Sequence, residues 1–137
     1  MKPQNFELKD CIYISFEKTL LDLHNDYNFE GFLKTDVSVT LTWKLGIGDW
    51  VNQNQPKKVE LIIEGIRKFE QVTGRKDADE IDQITLDEIA FLTDEDWCDG
   101  PFTTPHKAET NWDWVFIFES DMWLTINAQS VFARISP

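Results

Sequence analysis

From Val37 to Leu45 the chain alternates without a break. Val37, Val39, Leu41, Trp43 and Leu45 are apolar, and Ser38, Thr40, Thr42 and Lys44 between them are polar. Strand side chains point to opposite faces in turn, so this period of two sets one face against a core and leaves the other in water. A helix, whose faces repeat every ~3.6 residues, cannot gather that pattern into one stripe. One-sided burial is the habit of antiparallel sheets. Gly46-Ile47-Gly48-Asp49 ends the strand, and Asn52 to Pro56 reads as an exposed loop.

Other segments follow the same rule. A strand from Lys58 to Ile66 sets Val59, Leu61 and Ile63 inward and Glu60 and Glu64 outward, with Gly65 marking a bulge. It continues extended through Phe69 to a turn at Thr73-Gly74. Asp113 to Glu119 is apolar on both faces and reads as a central strand. A turn at Ser120-Asp121 leads to Met122 to Asn127, and a turn at Ala128-Gln129 leads to Ser130 to Ile135, completing a meander. Near the start, Cys11 to Phe16 and Thr19 to His24 form a hairpin turning at Glu17-Lys18. Phe16, Leu20 and Leu23 also fit a helical stripe, but the alternation of Ile12, Ile14 and Phe16 favours strands. The expected fold is mainly β, with α+β as the alternative: an antiparallel two-layer sandwich or partly open barrel, with a C-terminal meander and one short helix.

Composition fits a single domain of 137 residues with a real core, since 42% of residues are hydrophobic and 13% aromatic. Met1-Lys2-Pro3-Gln4-Asn5 opens into no apolar signal segment, and no run approaches the roughly 18 apolar residues of a membrane helix. Cys11 and Cys98 read as two free buried thiols, with a disulfide as the alternative that spacing alone does not establish. A cytoplasmic protein is expected.

The net charge of −12 argues against nucleic acid or an anionic membrane as partner, because phosphate binding needs a basic footprint. That charge is concentrated. Between Asp77 and Asp99 stand ten acids and no Lys or Arg, so the window carries −10 of the −12 and the remainder only −2. Asp77 with Glu80, and Thr85 with Glu88, have capping-box spacing, and a short helix over Ala78 to Gln83 is expected. Asp94 to Thr104, with Asp99-Gly100-Pro101, reads as a loop.

The chemistry-bearing residues do not assemble into a known motif. His24 and His106 are the only histidines and lack metal-site spacing with Cys98. Asp94-Glu95-Asp96-Trp97-Cys98-Asp99-Gly100 is one residue off a calcium-loop spacing and has no closing Glu, so a solvated acidic loop is the better reading. No nucleophile elbow or phosphate-binding glycine loop is present, and acidic neighbours raise the pKa of Cys98 and work against a nucleophile. No catalytic residue, metal or cofactor is expected. Trp43 and Trp114 read as core. Trp50 and Trp97 sit in loops beside acids, where an indole either folds back onto the core or serves binding.

What remains is the acidic window with Trp97 inside it. Fixed carboxylates complement a basic surface and speed association with it. The expectation is a non-catalytic protein-binding module that engages a basic protein through Asp87, Glu88, Asp94, Glu95, Asp96, Trp97 and Asp99. The alternatives are a small-ligand domain with Trp112 and Trp123 as pocket walls, and a structural or oligomerising domain. In its opening Leu8-Lys9-Asp10-Cys11-Ile12-Tyr13-Ile14-Ser15-Phe16-Glu17, its strand Val37 to Leu45, its Val59-Glu60-Leu61-Ile62-Ile63-Glu64-Gly65-Ile66 and its ending Phe132-Ala133-Arg134-Ile135, the chain resembles small acidic, mainly β bacterial immunity-type domains of polymorphic toxin systems. The resemblance implies inhibition by binding and transfers no site residue.

Overall fold

A computed structural model describes residues 1–92 and 112–137. Among the described residues the fold is mainly β, about 60% strand with one short helix, in a curled, half-barrel antiparallel sheet and a second small sheet. In chain order the strands are β1 (Lys2–Pro3), β2 (Glu7–Lys9), β3 (Tyr13–Phe16), β4 (Thr19–Asp22), β5 (Tyr27–Lys34), β6 (Ser38–Leu45) and β7 (Lys58–Val72). Helix α1 (Glu80–Ile84) follows, then β8 (Leu86–Leu92), β9 (Asp113–Phe118) and β10 (Trp123–Ser136). The large sheet runs β5-β6-β7-β10-β9-β8, with β1 added parallel to β10, and the small sheet runs β2-β3-β4.

The alternating strand behaves as its pattern demands. Val39, Leu41 and Trp43 are fully buried and face Ile63, Leu61 and Val59 across the β6–β7 ladder. Val37 departs from expectation: it is 67% exposed, just ahead of the strand, and its carbonyl accepts the N–H groups of Gly65 and Ile66. The N-terminal hairpin is present, with Phe16 opposite Thr19. Glu17 and Lys18 both carry positive φ, 48° and 69°, as a two-residue turn matched to strand twist requires.

The final strands differ from expectation in one respect. Ala128-Gln129 is not a turn; Trp123 to Ser136 is one strand, paired with β7 along its whole length. The meander exists one strand earlier, as β8-β9-β10. The buried apolar residues on β10 are Leu124, Ile126 and Ala128, then Val131 and Ala133, so the inward apolar set changes parity between 128 and 131. On β7 the same level holds Gly65, whose φ of 72° suits only glycine well, and then the unpaired Arg67. Fifteen residues of β7 thus face fourteen of β10. Arg67 Nη1 donates to Asn127 Oδ1 at 2.9 Å and to the Ala128 carbonyl at 3.2 Å. A break in alternation reads in sequence as a turn, whereas here it is a bend inside a continuous strand.

The helix starts later than expected. Asp79, not Asp77, caps it and accepts the N–H of Asp82 at 2.8 Å. Thr85 ends α1 instead of starting another helix, and Leu86–Leu92 is a strand with Leu86, Ile89, Ala90 and Phe91 buried.

One core joins both sheets. Phe29 lies 5.1 Å from Trp43 and 4.6 Å from Phe118, centroid to centroid, and Phe6 of the N-terminal segment meets Trp114 edge-on at 6.4 Å. The Trp43 indole N–H is buried with no hydrogen-bond partner among the described residues. No helix among the described residues is long and apolar enough to cross a membrane.

Candidate interaction surface

The described part of the acidic window is divided between α1, with the turn before it, and β8. Asp77 precedes the cap, Asp79, Glu80 and Asp82 belong to α1 and its cap, and Asp87 and Glu88 lie on β8. Asp94, Glu95, Asp96, Trp97 and Asp99 lie outside the described residues, as do Cys98, His106 and the expected loop Asp94 to Thr104.

Around α1 the charge is turned outward. Asp77, Asp79, Glu80 and Asp87 are exposed, and Ile81 between Glu80 and Asp82 is 70% exposed. Asp82 is held by Arg75, whose guanidinium also reaches Asp121 at 3.2 Å and the Glu119 carbonyl at 3.1 Å. Arg75 thereby ties the start of the helix region to the β9–β10 turn. It neutralises part of the acidic group, while Asp77, Asp79, Glu80 and Asp87 form no ion pair among the described residues.

Glu88 is half-buried, and burial, with the neighbouring Asp87 charge, raises its carboxyl above the usual range. It faces the segment Asp10-Cys11, where both residues have positive φ, 49° and 62°. The Ile89 N–H donates to the Cys11 carbonyl at 2.7 Å, fixing this turn against β8. Burial, Glu88 and Asp10 together push the Cys11 thiol up to about 11. The thiol stays protonated at neutral pH and suits packing better than nucleophilic attack.

His24 is tied structurally: its Nδ1 hydrogen-bonds the Leu86 carbonyl. Among the described residues no three His, Cys, Asp or Glu side chains gather as a metal would require.

Trp112 and Trp123 do not share a wall. Trp112 packs against the core, whereas Trp123 stands opposite Ile117, on the face away from Trp114, Phe116 and Leu124. Trp43 and Trp114 are core residues, 0% and 3% exposed. Trp50 does not fold onto the core, being 78% exposed. A notch of about 470 Å³ opens between β5 and α1, where Phe29, Phe32, Ile84 and Met122 meet Glu30 and Arg75. Neither Trp112 nor Trp123 lines it.

Sequence reasoning missed the outer face of β6, β7 and β10. There Lys44 stands directly opposite Lys58, a like-charge pair that Glu30 relieves at 3.0 Å from Lys44 and Glu60 at 3.7 Å from Lys58. Glu60, expected to be wet, is only 7% exposed because Arg134 and Lys58 lie over it. Cross-strand register, which a single sequence does not display, decides these pairs.

The geometry defines a curled antiparallel β domain with an aromatic-rich core and an acidic, outward-facing helix region. No protein-family model, curated protein or solved structure matches the chain.

Proposed function

We propose that this chain is a non-catalytic binding module that presents an acidic surface to a basic protein, in its narrowest form an immunity-type inhibitor of a basic toxin such as a nuclease. The observation that carries the reading is the surface around α1: four exposed carboxylates, Asp77, Asp79, Glu80 and Asp87, with the exposed apolar Ile81 among them. Carboxylates steer a cationic partner, and an exposed apolar residue next to them in the chain supplies area that can be desolvated. Trp43, Trp114, Phe116 and Phe118 are spent on the core, which favours a surface role for the residues left outside it.

The test is affinity capture from native cells, followed by association kinetics with the captured protein. The partner should be basic and its association should slow steeply with salt. Reversing Asp77, Glu80 and Asp87 to Lys, which spares the Asp79 cap, should slow association at least tenfold at low ionic strength, out of the steered range. An unchanged rate in that variant would count against the acidic surface.

A further inference from the structure

The loop between β6 and β7 carries its exposed aromatic on a fixed support. Ile47 and Trp50 are 94% and 78% exposed, yet the backbone beneath them is tied down. The Gly46 N–H donates to the Asp26 carbonyl at 2.8 Å, the Val51 N–H to Gly48 at 3.0 Å, and the Gln53 amide to Gly46 at 2.9 Å, while Val51 is buried.

The indole itself is set in place. A Cβ added at Gly48 would fall 2.4 to 2.6 Å from three ring carbons of Trp50, so the ring lies against the glycine. Its Nε1 donates to the Asn25 carbonyl at 3.4 Å. One ring face rests on the loop, and the rest of the side chain meets solvent with its orientation fixed before any partner arrives. Pre-set aromatics bind at low entropic cost.

The surrounding charge selects the occupant. Asp49 precedes Trp50 in the chain, and Asp22 and Asp26 lie either side of Asn25. Asp22 accepts the N–H groups of His24 and Asn25, and Asp26 accepts the Gln55 amide, so both are oriented. None of these three acids forms an ion pair among the described residues. An open indole face beside unmatched carboxylates attracts a cation through the ring quadrupole and the negative field together.

We infer that the Trp50 platform binds a basic polypeptide segment, seating an arginine or lysine side chain on the open indole face with Asp22, Asp26 and Asn25 at its rim and Ile47 against the aliphatic stem. The site shares a class of partner with the α1 surface but none of its residues, so each stands or falls alone.

The test uses the full chain, ¹⁵N-labelled, titrated with an arginine–glycine repeat peptide and with a glutamate–glycine repeat as control. The indole N–H signal of Trp50, identified by its loss in Trp50→Phe, should move with the arginine peptide and stay still with the glutamate one. Trp50→Ala should weaken binding by about two- to fivefold. Gly48→Ala, which displaces the ring, should act in the same direction while the remaining spectrum stays native. Asp49→Asn should weaken binding less. Shifts confined to residues 77–88, with affinity unchanged in Trp50→Ala, overturn the platform and leave the α1 surface standing. Weaker binding in Trp50→Ala, with binding unchanged in the Asp77, Glu80 and Asp87 reversal, supports the platform independently of the α1 surface. No shift anywhere overturns the platform.

Discussion

Arg134 closes over Glu60 across the β7–β10 ladder, its Nε and Nη2 donating to the two carboxylate oxygens at 2.9 and 3.1 Å. The partners are unequally covered: the Glu60 side chain is 9% exposed and that of Arg134 60%. The carboxylate is sealed by the cations above it, not sunk among apolar atoms.

That asymmetry predicts unequal mutants. Arg134→Met leaves the covered Glu60 carboxylate with Lys58 as its remaining cation among the described residues and should destabilise the protein. Glu60→Gln releases Arg134 into solvent, where it is hydrated, and should cost less. Urea unfolding of both variants checks the order; equal losses would contradict it.

Two glutamates should bend the pH–stability curve in opposite senses. The Arg134 hydrogen bonds hold Glu60 below the usual carboxylate range. Its contribution is therefore present above the unfolded value and lost as pH falls through the folded one. Burial raises Glu88, whose contribution is full below the unfolded value and lost as pH rises through the folded one. Between about pH 3 and about pH 7, Glu60→Gln should shallow the acid-side fall in stability. Glu88→Gln should raise stability at the neutral end relative to the acid end. Denaturation at several pH values in each variant tests both signs.

The turn at Glu17-Lys18 is built from residues poorly suited to it. Both have positive φ, a conformation that Asn-Gly adopts readily. Replacing the pair by Asn-Gly should stabilise the protein by about 1 kcal/mol. A lower melting temperature in the double variant would contradict the turn geometry.

Gly65 should resist substitution. Its φ is 72°, and a Cβ there would come 2.7 Å from the Gln129 side chain. Gly65→Ala should cost about 1–2 kcal/mol from backbone strain. Adding Gln129→Ala should recover only the steric part, which a double-mutant cycle separates from the strain.

Much of the sheet was legible because alternation is a local signal. Val39, Leu41, Trp43, Val59, Leu61 and Ile63 face the core as their spacing required, and Glu17-Lys18 turns where the pattern paused. Two features were not legible. The parity change at Ala128 looks like a turn because a broken period is common to both, and only the partner strand tells them apart. The cap at Asp79 instead of Asp77 reflects two acids of equal capping chemistry, between which tertiary placement chooses. The acidic surface was legible as composition, but its sorting among helix, strand and Arg75 was not. Trp50 was identified as a loop indole; the support that Gly48 provides is visible only in three dimensions.

The continuous pairing of β7 with β10 also bears on how the chain finds its fold. Its contacts join residues separated by 51 positions at Trp123–Val72 and by 78 at Ser136–Lys58. Local hairpins such as β3–β4 and β5–β6 close short loops at small entropic cost, while this ladder must wait for everything between its strands to be gathered. The last event in folding should be the zipping of β10 into place, and refolding should be slow for a domain of this length.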